Sequence, residues 1–158
     1  MPEIKKTYRL DASTYLFRLA TESVRLFSNR EEQFATISQV VEARAGVASD
    51  IPANYKPDEL KKHLKIIPTD GEIPIILEIL PTVGDDVEHA IPAISKALSE
   101  SISFASAISL MLFDYVVEEN KTEVLTKLGL SLAEAREYSA LLRERNDNVV
   151  PIGGRPDN

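Results

Sequence analysis

The chain has 158 residues, 44% of them hydrophobic and 27% charged, with a formal net charge of −7. That length suits one domain with enough apolar material for a core. The acidity argues against a protein whose main task is gripping phosphate backbones, an affinity that comes from Lys and Arg, and the absence of cysteine excludes disulfides, thiolate nucleophiles and Cys-based zinc or iron–sulfur sites.

The opening residues Met1 to Lys6 lead into no apolar signal core, so no secretory leader is expected. The longest uncharged run, Ser101 to Phe113, is too short and too rich in Ser to span a bilayer. A cytoplasmic protein without membrane association is the expectation. Charge is unevenly placed: the chain is close to balanced up to Lys65, whereas from Ile66 to Leu128 only Lys96, Lys121 and Lys127 offset the acids.

The first helix is predicted over Asp11 to Phe27, with Leu16, Leu19, Ala20, Val24 and Phe27 on one side. Asn29 and Glu32 have capping-box spacing and open a second segment, whose apolar positions are Phe34, Ile37, Val41 and Ala45. Gly46 is placed to end it. Residues Ile51 to Asn54 read as a loop. Pro57 then suits the first turn of a helix whose Asp58 and Glu59 favour its N-terminus and whose Lys61, Lys62 and Lys65 favour its C-terminus. Pro68 stops it.

Residues 73–80 are Ile-rich, as in a buried strand, but Pro74 and Pro81 oppose a central strand. With no obvious partner strand, a short helix is the preferred reading. From Val87 onward, Ile91, Ile94, Leu98, Ile102, Ala105, Ile108, Leu112 and Val116 recur at steps of three or four. Ser101 to Leu112 also alternates like a strand. The length of the stripe decides for one long apolar helix, with Pro92 starting or kinking it.

On such a helix Ser95, Ser99, Ser103 and Ala107 fall four apart. This small-faced ridge would pack inside a bundle or form the seam of a homodimer. The apolar surround of Phe104 to Val117 implies burial on most sides. A last helix follows Ser131, which has capping spacing to Glu134. After Asn146 the period is lost, and a disordered tail is expected over 147–158.

Chemistry is mostly excluded. His63 and His89 have no partner at ligand spacing, no Gly-rich phosphate loop is present, and no cofactor or metal site is implied. Asp114 and Glu118 lie four apart on the central helix, a spacing that could hold Mg²⁺ if another helix supplied further carboxylates. Residues Thr122 to Arg136, with Gly129 at the turn and Ser131 as cap, resemble a helix-turn-helix. Arg136, Arg143 and Arg145 would then face DNA, although Glu134, Glu137 and Glu144 share that helix and face phosphates badly.

The sequence therefore predicts an all-α bundle of five to six helices over residues 1–146, built round one long central apolar helix. Its expected role is that of a non-enzymatic protein-interaction module (an adaptor, chaperone-like partner or inhibitor), self-associating as a homodimer through Ser95, Ser99, Ser103 and Ala107. The alternatives are a DNA-binding regulator and a Mg²⁺-dependent helical hydrolase.

Overall fold

The computed structural model describes residues 4–127 and residue 133. Contacts divide the chain into two compact units, Met1–Val116 and Val117–Asn158. The described residues are mostly helical, as the sequence predicts. They also hold one small two-stranded sheet, an addition that the all-α expectation did not include but that leaves the described residues predominantly helical.

That sheet pairs β1 (Lys6–Ala12) with β2 (Ile73–Ile79) in antiparallel register, from Lys6 opposite Ile79 to Ala12 opposite Ile73. In β1, Leu10 and Ala12 are buried and Tyr8 is half-buried, while Thr7, Arg9 and Asp11 face water. In β2, Ile75, Leu77 and Ile79 are buried. This is the period of two of a half-covered strand. The short helix preferred for 73–80 is thus a strand. Its partner went unseen because β1 carries few apolar residues among its charges. Pro74 is tolerated because a two-stranded sheet consists only of edges, and an edge position needs no outward N–H.

Helix α1 (Thr14–Glu31) starts at Ser13, whose Oγ accepts the Leu16 N–H at 3.0 Å. It runs past the predicted boundary at Asn29 and ends where Glu32 turns left-handed, with φ 55°. The true cap of α2 (Ile37–Arg44) is Thr36, in a reciprocal capping box with Gln39. Phe34 consequently lies outside the helix and is fully exposed, whereas Val41 and Ala45 join the core as expected. A 3₁₀ segment (Ala45–Asp50) carries the chain past Gly46 into α3 (Ile51–Asn54), where a loop is predicted. Helix α4 (Pro57–Ile66) keeps Pro57 in its first turn and buries Leu60 and His63.

Helix α5 (Pro81–Leu98) continues through Pro92. The carbonyl deprived of its donor there belongs to Glu88, and both residues sit on the exposed face, where water can serve it. Helix α6 (Phe104–Lys127) follows after a break. The expected long central helix is therefore two helices. Ser99 adopts a left-handed conformation, φ 56° and ψ 32°, and its N–H reaches the Lys96 and Ser95 carbonyls. The Glu100 N–H bonds the Ser95 carbonyl, and Ser95 Oγ accepts the Ile102 N–H at 3.2 Å. Ser103 then caps α6, its Oγ accepting the Ser106 N–H at 3.0 Å. Serine side chains serve as local backbone partners here, which favours helix ends over helix interiors.

The apolar stripe still packs as predicted: Val87, Ile94 and Leu98 of α5 and Ala107 to Leu112 of α6 are all buried. Each fully buried Leu or Ile contributes roughly 2 kcal/mol before the entropy of ordering is set against it. No helix among the described residues is long and apolar enough to cross a membrane.

Candidate functional site

The α1 residues Phe17, Ala20, Thr21 and Val24 fall at i, i+3, i+4 and i+7 and so form one ridge. Facing it are Ile37 of α2 and Pro74, Ile75 and Ile76 of β2. Between them lies an open, mostly apolar groove of about 300 Å³. Phe17 is 38% exposed and Ile76 44% exposed, so two apolar side chains stand out beside a hollow. A more polar depression of about 390 Å³, lined by Lys5, Thr36, Ile37, Ser38, Ile76 and Glu78, shares Ile37 and Ile76 with it. The two run together along the outer edge of β2.

That edge is guarded against strand addition. Pro74 has no N–H, and Ser38 Oγ accepts the outward Glu78 N–H at 3.0 Å. Only Ile76 keeps an outward N–H on β2, so the groove is suited to receive side chains rather than to extend a ladder.

A second set of residues, in the interior, brings together groups distant in sequence. Asp114 of α6 accepts from Arg44 Nη2 and from the Tyr55 hydroxyl, each at 2.7 Å. His63 Nε2 and Ser109 Oγ form a hydrogen bond of 2.8 Å, and the Phe113 ring lies 4.5 Å from His63 and 5.4 Å from Tyr55. Burial alone lowers the His63 pKa from 6.5 to about 4, so the imidazole is neutral at neutral pH. The Ser–His contact resembles a nucleophile and its base. Ser109, however, is fully buried, and no substrate can reach its hydroxyl without opening the core. These pairs tie α2, α4 and the Tyr55 turn to α6.

The expected sites fare differently. Ser95 lies in α5, Ser99 is its left-handed cap, Ser103 caps α6 and Ala107 is buried within α6. The four do not form a ridge on one helix, because the chain breaks between the second and the third. Both oxygens of Asp114 are engaged by Arg44 and Tyr55, and among the described residues no group of three His, Asp or Glu side chains is placed to hold a metal. Of the helix-turn-helix-like segment, Thr122 to Lys127 form the end of α6. Arg136, Arg143, Arg145 and the expected tail lie outside the described residues.

The interior pairs escaped sequence reasoning, although one signal was present. A carboxylate one turn beyond Leu110, inside a buried run, needs a cation or several donors. The groove left no such mark: Val24 falls on the predicted apolar side of the first helix, Phe17 does not, and Ile76 lies in the run read as a short helix. No protein-family model matches this chain, and no curated protein or solved structure matches it.

Proposed function

We propose that the protein is a non-enzymatic interaction module that self-associates through the groove between α1 and β2, not through the small-residue ridge. The observation that supports this reading is the pairing of exposed Phe17 and Ile76 with the hollow beside them. A patch carrying both protruding apolar groups and a recess for them is self-complementary, as a two-fold interface requires. Exposed apolar surface flanked by polar residues is also the usual mark of an association site.

Light scattering across a concentration series tests it. A mass near twice 17.5 kDa is expected at high micromolar concentration, with Ile76→Asp and Phe17→Asp shifting the chain to monomer. A photo-crosslinking residue at position 17 should give an adduct of two copies, while one at the exposed Ile66 should give none. A strict monomer with no adduct at position 17 would remove the proposal. An adduct of one copy with a different protein would keep the module and replace the partner.

A further inference from the structure

The other edge of the sheet is built differently. The outward Glu78 N–H, held by Ser38, makes Thr7–Glu78 a pair without mutual backbone hydrogen bonds. The alternation then gives Arg9–Ile76 and Asp11–Pro74 the same character. Two observations agree. Pro74 has no N–H to exchange with Asp11, and the Asp11 carbonyl accepts instead from the Gly71 N–H at 3.0 Å. The backbone N–H and C=O of Arg9 therefore point away from β2.

They open on a cleft of about 430 Å³ whose walls include Tyr8, Asp70, Glu88, Ser103 and Phe104. Its floor is firm: Tyr8 and Phe104 stack at 4.6 Å with 4° between their planes. No described residue supplies a hydrogen bond to the Arg9 backbone. The devices that guard β2, a proline and a side-chain hydroxyl on the outward N–H, have no counterpart at Arg9. Charge is also one-sided. The Arg9 guanidinium is paired with Asp11 at 3.0 Å, and among the described residues the exposed carboxylates of Asp70 and Glu88 on the walls have no ion pair.

We propose that this cleft binds an extended peptide segment of a partner protein that carries a Lys or Arg side chain. The segment pairs its backbone with Arg9 as a third strand and sets its cation against Asp70 and Glu88. Strand addition of this kind takes affinity from main-chain bonds and selectivity from the flanking side chains. The site is separate from the α1–β2 groove and stands whether or not the chain self-associates there.

The test uses the isotope-labelled full chain and two capped pentapeptides, Val-Lys-Val-Lys-Val and Val-Glu-Val-Glu-Val, at low salt. The basic peptide should shift the Arg9 amide resonance saturably, slow its hydrogen exchange and bind at least tenfold tighter than the acidic one. Methylating the backbone nitrogens of the basic peptide should abolish binding. The double variant Asp70→Asn, Glu88→Gln should weaken it about fivefold, while Phe17→Asp should leave it unchanged. An Arg9 amide unmoved by either peptide, equal binding of the two, or wild-type affinity in the double variant would overturn the proposal. So would an Arg9 amide already protected in the free protein through pairing with a second copy.

Discussion

Mild acid should loosen the attachment of α4 to α6, by an amount set by His63. The imidazole is 6% exposed, 2.8 Å from Ser109 Oγ and against the Phe113 ring. Charging it there places an imidazolium ion out of water, with no carboxylate among the described residues bonded to it. The folded pKa of about 4 lies below the ordinary 6.5, so the unfolded chain takes up the proton first. Stability from this group is complete above pH 6.5 and is lost as pH falls towards 4. At about 1.4 kcal/mol per pH unit, the full loss is roughly 3 kcal/mol, and roughly 2 kcal/mol is gone by pH 5. Urea denaturation at pH 7.5 and pH 5 measures this. His63→Gln, which keeps a polar partner for Ser109, should be less stable than wild type at pH 7.5 yet lose much less on acidification. If wild type and His63→Gln lose equal stability over that interval, burial of His63 does not set the acid response.

Further outcomes are expected at Asp114, at Gly84 and at the break between α5 and α6. Asp114→Ala leaves the Arg44 guanidinium and the Tyr55 hydroxyl without their shared carboxylate and should cost about 3–5 kcal/mol in chemical denaturation. A Cβ on Gly84 would collide with the Tyr8 hydroxyl; Gly84→Ala should therefore destabilise by about 1–3 kcal/mol, and Tyr8→Phe in the same chain should recover part of that loss in a double-mutant cycle. Because Ser99 is left-handed, Ser99→Gly should raise stability by roughly 1 kcal/mol, whereas Ser103→Ala should lower it by about 1 kcal/mol through loss of a cap. A single unbroken helix would give the opposite sign for Ser99→Gly.

These tests bear on what the residues disclose before folding. The apolar stripes of α4, α5 and α6 are legible because each follows one periodicity over several turns, and Pro57 marks a helix start by its own chemistry. The break at Ser99 is not, since the hydrophobic period continues across it and only hydrogen bonding by Ser95 and Ser103 shows where the helices part. β2 is hidden by Pro74, whose meaning depends on whether the strand has one neighbour or two. The interior contacts are beyond local reading for another reason. Arg44 and Asp114 are 70 positions apart and His63 and Ser109 are 46 apart, so their meeting depends on packing that no short window contains.

The pairing of β1 with β2 also has a temporal side. Everything from residue 13 to residue 72 lies between the two strands, so a chain growing from its N-terminus holds β1 unpaired until β2 has been made. Helices α1 to α4 must take shape inside a loop that is still open, and the sheet closes behind them as a clasp. Closing so long a loop costs entropy that local helix formation does not. The slowest step in assembling this mostly helical protein should thus be the registration of its two strands, and removing β1 would take away the link that fastens the start of α1 to β2.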